Sequence, residues 1–195
     1  KKSFLYVLTL CALAFIVLLQ FNILTIILGL SSMFLAFTYP FMKRITYWPQ
    51  LFLGITFNWG IVMAWTAINN NISHEIIVLY ISAIFWTLGY DTIYGTQDMS
   101  DDEIIGLKST SIKFKKNIKS FVTFCYLVAS SLILLLFKSE IGLNFFSVFV
   151  FLFILSLSYQ LFKFNKYKPY TCLKMFKFNN YSGVFLFLSI ILIDI

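Results

Sequence analysis

The sequence contains few charged residues and very few acidic ones. Only 12% of its 195 residues are charged, with eight Asp and Glu against fifteen Lys and Arg. Soluble globular domains average about a quarter charged residues, whereas 60% of this chain is hydrophobic. The composition therefore excludes a soluble domain and predicts a polytopic membrane protein.

Cysteine and histidine are too scarce and too scattered to support a disulfide framework or a zinc site. Cys11 and Cys125 fall within apolar segments and Cys172 within a basic one, and no His or second Cys stands at ligand spacing from any of them. The single histidine, His74, lies in a short polar segment without a partner. We interpret it as a polar loop residue.

Long apolar runs predict seven membrane-spanning helices. A span needs about 20 apolar residues, and these segments lack the alternation of a β-barrel. The predicted spans are residues 4–19, 23–41, 51–68, 76–90, 121–137, 145–162 and 181–193. The predicted fold class is all-α, a polytopic membrane helical bundle, with residues 1–195 forming a single membrane-embedded domain.

The basic residues predict the orientation of these spans. Fourteen of the fifteen Lys and Arg lie at the N-terminus or in the segments after the even-numbered spans, and only Lys138 lies on the other side. By the positive-inside rule, the basic side faces the cytoplasm. Because the charges are spread over short loops, they favour anionic lipid over nucleic acid as a partner. The expected location is a bacterial inner membrane, or the mitochondrial inner membrane in a eukaryote.

Five of the eight acidic residues are concentrated in the segment 91–110, namely Asp91, Asp98, Asp101, Asp102 and Glu103. In a helix, Asp98 and Asp102 lie on one face and repel each other unless a cation sits between them or they reach water. Mg²⁺ favours oxygen ligands and is typically held by one or two carboxylates together with substrate phosphates. The segment is therefore either a divalent-metal site or a solvated acidic loop, and the distribution of basic residues predicts that it lies at the cytoplasmic mouth of the bundle.

Three polar residues outside the acidic segment also have two interpretations. Tyr39 and Lys43 are four residues apart beyond Pro40, so a helix would present a phenol and an ammonium on one face. The alternative is an aromatic belt with ordinary positive-inside charge. Asn58 lies within the third predicted span, and we expect it to face the bundle interior, where it either bonds a neighbouring helix or lines a cavity.

The pattern Tyr90-Asp91-Thr92-Ile93-Tyr94, followed by Gln97-Asp98, Asp101-Asp102 and Lys108-Ser109-Thr110, resembles the second Asp-rich motif of the UbiA family of intramembrane prenyltransferases. Supporting matches are the segment 39–44, Pro49-Gln50, Trp59-Gly60 and Asn179-Asn180-Tyr181. The resemblance is strongest to the members that prenylate 4-hydroxybenzoate in ubiquinone biosynthesis. Family members have nine spans and a first Asp-rich motif after the second. The spans of this chain correspond to the last seven, which predicts that the sequence is truncated at its N-terminus.

The resemblance implies Mg²⁺-assisted transfer of a polyprenyl group from polyprenyl diphosphate to the carbon ortho to the hydroxyl of 4-hydroxybenzoate, through an allylic cation. It implies catalytic and metal-binding roles for Asp91, Asp98 and Asp102. The implied substrate contacts are Tyr39, Lys43, Arg44, Asn58, Tyr94, Asp101 and Lys108. Arg44 is assigned to the benzoate carboxylate because its guanidinium holds a carboxylate bidentately.

Three alternatives remain open at this point. One is a UbiA-type prenyltransferase with another aromatic acceptor, and a second is a remnant that folds without catalysing. The third is a cation-binding transporter. A transporter predicts carboxylates at mid-membrane and an internal repeat, whereas the acidic segment here is predicted to lie at the cytoplasmic mouth.

Overall fold

The structure is a computed structural model that describes residues 2–193, a range that is helical and contains no β-strand. The helices are α1 (Lys2–Leu18), α2 (Ile23–Thr38), α3 (Met42–Ile45), α4 (Pro49–Phe57), α5 (Trp59–Asn69), α6 (His74–Gly95), α7 (Met99–Ile104), α8 (Thr110–Lys113), α9 (Ile118–Leu136), α10 (Phe145–Lys163) and α11 (Pro169–Ile191). The prediction of an all-α membrane bundle is confirmed. Lys1, which contributed to the predicted orientation, lies outside the described residues.

Each predicted span falls in a helical stretch, and five of these stretches are long and apolar enough to cross a membrane. They are Ile23–Ile45, Pro49–Asn69, His74–Gly95, Ile118–Leu136 and Phe145–Lys163. The first apolar helix, Ser3–Leu18, is shorter. The last predicted span, 181–193, lies largely within α11, which begins well before it at Pro169. Pro169 occupies the first position of this helix. Proline is favoured there because the backbone N–H that it lacks would have no hydrogen-bond partner within the helix.

Helix α6 is the central element of the bundle. It packs against α4, α9 and α11, and α10 packs against α11. Large side chains that are almost completely buried fill the space between these helices, among them Ile93, Val122, Phe153 and Leu157. Asp91 lies near the C-terminal end of this central helix.

A buried polar cluster joins α9, α10 and α11. The hydroxyl of Tyr126 donates to Oε1 of Gln160 over 2.7 Å, and Nε2 of Gln160 donates to Oγ of Ser182 over 2.9 Å. Ser156 donates to the same Ser182 oxygen over 2.7 Å. Interhelical hydrogen bonds of this kind hold membrane helices together, because lipid offers these groups no other partner.

Candidate active site

The acidic segment folds back on itself at the end of α6. The backbone N–H of Asp102 donates to the carbonyl of Asp98 over 2.9 Å, and the N–H of Leu107 donates to the carbonyl of Asp102 over 2.8 Å. Between these bonds Gly106 has φ of +76°, a conformation that glycine adopts without steric cost. The turn ends α7 and directs the chain back towards Lys108.

Two lysines from different parts of the sequence meet the acidic segment. Nζ of Lys43 lies 3.8 Å from Oδ2 of Asp102, which is 8% exposed. The backbone N–H of Lys108 donates to the carbonyl of Lys43 over 2.8 Å, and Nζ of Lys108 donates to the carbonyl of Ile45 over 3.1 Å. The structure therefore brings Lys43, Asp102 and Lys108 together at one end of the bundle.

The other predicted site residues lie around this group at different depths. Asp91 is partly buried in the last turns of α6, while Asp98, Asp101 and Arg44 are exposed. Tyr39 is half-buried in the short turn that links α2 to α3. The carboxylates of Asp98 and Asp101 are exposed, as in a solvated loop, whereas Asp91 is partly buried and Asp102 is buried.

A cleft of about 460 Å³ lies between the end of α4, α6 and α11. Its polar lining includes Asn58, Thr87 and Asn179, and its aromatic lining includes Tyr90 and Phe176. The ring of Phe176 also packs against Tyr94, with 4.4 Å between the ring centroids. The predicted residue Tyr94 therefore packs against an aromatic wall that continues into the cleft.

Asn58 meets both of its sequence-based interpretations. It sits at the break between α4 and α5, and its amide nitrogen donates to the carbonyl of Gly54 and to Oγ1 of Thr87, each over 2.8 Å. It thus bonds a neighbouring helix, and it also lines the cleft. Because the amide nitrogen is occupied by these bonds, the side-chain carbonyl is the group of Asn58 left for a ligand.

Trp86 lines the cleft but was missed from the sequence. Its indole N–H donates to Oδ1 of Asn179 over 3.0 Å, and its ring packs edge-on against Tyr90 with 6.0 Å between centroids. The signal that could have found it is spacing, since Trp86 and Tyr90 are four residues apart on one helix and therefore share a face. Asn179 was noted only as part of a supporting motif.

A buried hydrogen-bond cluster connects the C-terminal end of the acidic segment to α4 and α6. Oε1 of Gln50 accepts the backbone N–H of Thr110 over 2.9 Å, and the hydroxyls of Thr92 and Thr110 are 2.7 Å apart. The hydroxyl of Ser111 donates to the carbonyl of Thr92 over 2.8 Å. Thr110 is completely buried, and the contact between its hydroxyl and that of Thr92 joins α8 to α6.

The carboxylates suit a hard divalent cation in type, but they do not form a complete metal site. Within residues 2–193, no three Asp, Glu, His or Cys side chains are placed to hold a metal ion together. Carboxylate oxygen is the ligand that Mg²⁺ prefers, and one or two carboxylates suffice where substrate phosphates complete the coordination. The donor chemistry of Asp91, Asp98 and Asp102 therefore fits Mg²⁺ only with further ligands from elsewhere.

The fold and this site define a membrane-embedded helical bundle with a charged mouth beside an aromatic cleft. A protein-family model described as the UbiA prenyltransferase family matches residues 1–190. The chain belongs to the UbiA prenyltransferase family. The resemblance inferred from its motifs is confirmed.

Individual relatives agree with this assignment. The chain is 39% identical over 197 residues to the mitochondrial 4-hydroxybenzoate polyprenyltransferase of Bos taurus, covering 98% of this chain and 52% of the relative. It is 40% identical over 183 residues to 4-hydroxybenzoate geranyltransferase 1 of Lithospermum erythrorhizon, covering 90% of this chain and 58% of that protein. The chain thus spans about half the length of the curated relatives it matches.

A solved structure shares the fold. The apo structure of a UbiA homolog from Aeropyrum pernix K1 superposes with a TM-score of 0.79 at 22% sequence identity, covering 97% of this chain and 71% of that one. At this level of identity the likeness establishes the helical architecture. It leaves the roles of individual residues to the site geometry.

Proposed function

We propose that the protein transfers a polyprenyl group from a polyprenyl diphosphate to the ring of 4-hydroxybenzoate, as a step of ubiquinone biosynthesis. The observation that carries the proposal is the convergence of Lys43, Lys108 and Asp102 at one end of the bundle. The acceptor and donor classes follow from the relatives, which are named 4-hydroxybenzoate polyprenyltransferase and geranyltransferase. UbiA family members with other aromatic acceptors are the alternative.

The charged end is proposed to bind the diphosphate. The ammonium groups of Lys43 and Lys108 would contact the phosphate oxygens, as charge-assisted hydrogen bonds to phosphate are among the strong ones. Mg²⁺ held by Asp91, Asp98 and Asp102 would neutralise charge on the leaving diphosphate as a Lewis acid. Tyr39 and Asp101 are proposed as further contacts at this end.

The aromatic cleft is proposed to receive the isoprenoid and to protect the reacting carbon from water. Breaking the carbon–oxygen bond leaves its electron pair on the diphosphate and an allylic cation on the isoprenoid. The faces of Tyr94 and Tyr90 can stabilise such a cation through their ring quadrupoles. The half-buried position of both rings favours this role, because a cation–π contact strengthens when it is desolvated.

The acceptor then attacks the cation through the ring carbon ortho to its hydroxyl. A carbon–carbon bond forms, and loss of the proton on that carbon restores the aromatic ring. Arg44 is proposed to hold the benzoate carboxylate, since guanidinium matches a carboxylate in a bidentate geometry. The side-chain carbonyl of Asn58 is proposed to contact a substrate from the cleft.

The location of the site is a proposal that rests on charge. Apolar helices make the chain an integral membrane protein. We place the charged end on the cytoplasmic face of an inner membrane, because that end carries nearly all of the basic residues. The relatives named mitochondrial suggest the mitochondrial inner membrane for a eukaryotic source.

The test is a turnover assay on membranes that contain the full-length protein. Geranyl diphosphate is supplied with 4-hydroxybenzoate or with other phenolic acids, with Mg²⁺ or with excess chelator, and products are identified by mass spectrometry. We expect 3-geranyl-4-hydroxybenzoate only with Mg²⁺. If only a different phenolic acid gives a product, that acid replaces 4-hydroxybenzoate as the proposed acceptor. If no acid gives a product, the result favours a remnant that folds without catalysing. Cation flux into liposomes without any product would favour the transporter.

A further inference from the structure

A second cavity, of about 360 Å³, lies apart from the aromatic cleft, where α9 begins and α10 ends. Its lining includes Lys116, Lys119 and Lys166 together with Ile118, Phe164 and Tyr167. We call it the lysine pocket. Its base is apolar, since Ile118 and Phe164 are each 1% exposed. None of the described residues that line it is acidic.

Contacts with aromatic rings and backbone hold two of its three lysines in place. Nζ of Lys119 lies 5.5 Å from the ring centroid of Phe164, and Nζ of Lys166 lies 5.0 Å from that of Tyr167. Lys166 also donates to the carbonyl of Lys115 over 3.1 Å. These contacts position the ammonium groups but supply no negative charge to balance them.

The lysine pocket has no internal counter-charge. In the part of the chain that the structure describes, the ion pairs are Lys43 with Asp102 and Lys115 with Glu103. The lysines of the pocket belong to neither pair. Positive charges gathered around one small volume repel each other unless an anion lies among them. The pocket is therefore suited to a ligand with negative charge.

Its position favours a lipid as the source of that charge. Helices α9 and α10 are both long and apolar enough to cross a membrane, and the pocket lies at the end they share. Around it the side chains of Phe162 and Tyr167 are 83% and 80% exposed. Exposed aromatic rings beside lysines are typical of the level of the lipid headgroups.

We propose that the lysine pocket binds the phosphate headgroup of an anionic phospholipid. The ammonium groups of Lys116, Lys119 and Lys166 contact the phosphate oxygens as charge-assisted donors. The acyl chains lie along the apolar outer surfaces of α9 and α10. This site is separate from the proposed active site and would stand whether or not the chain transfers a prenyl group.

The experiment measures lipid retention by the full-length protein with native mass spectrometry. Phosphatidylglycerol is titrated into the detergent-solubilised protein and into a triple variant, Lys116→Gln with Lys119→Gln and Lys166→Gln. A control variant carries the same charge change in neighbouring lysines that do not line the pocket, Lys163→Gln with Lys174→Gln and Lys177→Gln. We expect about a 100-fold loss of affinity in the pocket variant, since each lysine near an anionic headgroup contributes roughly fivefold. The control variant should change by less than about threefold.

Two further arms identify the source of the phosphate. Phosphatidylcholine should not be retained, and millimolar inorganic phosphate should not displace phosphatidylglycerol. Displacement by inorganic phosphate would make the pocket a free-anion site and overturn the lipid assignment. Equal losses in the two triple variants would overturn it in favour of general surface charge, and full retention by the pocket variant would overturn it outright.

A single variant allows the proposal to be tested if the triple variant does not fold. If the triple variant aggregates, the single variant Lys166→Gln replaces it, with an expected loss of about fivefold. Prenyl-transfer turnover is measured on the same samples. If a preparation shows no turnover but still retains lipid through the lysine pocket, the proposed function fails while the lipid proposal stands. The two can fail separately because the lipid measurement does not depend on catalysis.

Discussion

The ammonium nitrogen of Lys43 lies 3.8 Å from Oδ2 of Asp102, and this pair joins the short helix α3 to the acidic segment. The Lys43 side chain is 45% exposed, whereas that of Asp102 is 11% exposed. The cation of the pair therefore reaches solvent while the carboxylate stays covered. Under the proposed function, Lys43 is the member of the pair that the diphosphate would contact.

The first prediction concerns the charge of Asp102. The substitution Asp102→Asn keeps the shape of the side chain but removes the partner of Lys43. Because preorganised charges at a leaving group are usually worth a large factor, we expect turnover to fall by about 100-fold or more. Product formation in membranes with matched protein levels measures the loss.

The matched control is Glu103→Gln. Glu103 is the next acidic residue along α7, but it is exposed and pairs with Lys115. We expect its turnover to stay within about threefold of the parent protein, as exposed ion pairs contribute little. Equal losses in the two variants would mean that only the overall charge of the segment matters.

The second prediction separates the carboxylates by burial. Asp91 is partly buried in α6, whereas Asp101 is exposed on α7. We expect Asp91→Asn to remove nearly all turnover while the protein still inserts, because the neutral amide no longer supplies the negative charge with which the proposed site would bind Mg²⁺. Asp101→Asn should lower turnover by less than about tenfold. Full activity of Asp91→Asn would exclude the metal assignment.

The sequence predicted the membrane bundle but not the continuity of every helix. Apolar run length locates segments that lipid tolerates, and it found 145–162, which matches α10 closely. It placed the start of the last span at residue 181, whereas α11 begins at Pro169. Lys174 and Lys177 interrupt the apolar run without interrupting the helix, since their long side chains can extend to the interface.

The sequence indicated the charged residues of the candidate site but not the neighbouring residues that pack and hydrogen-bond around them. Lys43, Asp102 and Lys108 were assigned to the site through the family resemblance, and the structure places them near one another while their roles stay predictions. Gln50 was noted only within a supporting motif, and Trp86 was missed. Their roles depend on which neighbouring helix each side chain faces, and that register is set by packing that a single sequence does not display.

The third prediction tests the support beneath the acidic segment. Gln50 is 4% exposed and accepts the backbone N–H of Thr110 over 2.9 Å. Gln50→Leu leaves that buried N–H without a partner, which costs about 1–3 kcal/mol of the free energy of unfolding. Thermal unfolding in detergent measures the loss. Gln20→Leu is the control, because Gln20 is exposed and should leave stability within about 0.5 kcal/mol of the parent.

The fourth prediction concerns the contact between α6 and α9. A Cβ at Gly89 would clash with Cε1 and Cδ1 of Tyr126. That ring is 3% exposed, so the side chains around it leave it little room to move away. We expect Gly89→Ala to lower the free energy of unfolding by about 1–3 kcal/mol, the usual cost of overpacking.

Gly60→Ala is the matched control for Gly89→Ala, since a Cβ at Gly60 would meet nothing within 4 Å. Its stability should stay unchanged or rise by up to about 1 kcal/mol, because alanine favours a helix over glycine. Introducing Gly89→Ala into a Tyr126→Phe protein then separates two causes. The clash involves ring carbons that phenylalanine keeps, so the added methyl should cost as much in that background. A much smaller cost would instead assign the loss to a disturbed hydrogen bond between Tyr126 and Gln160.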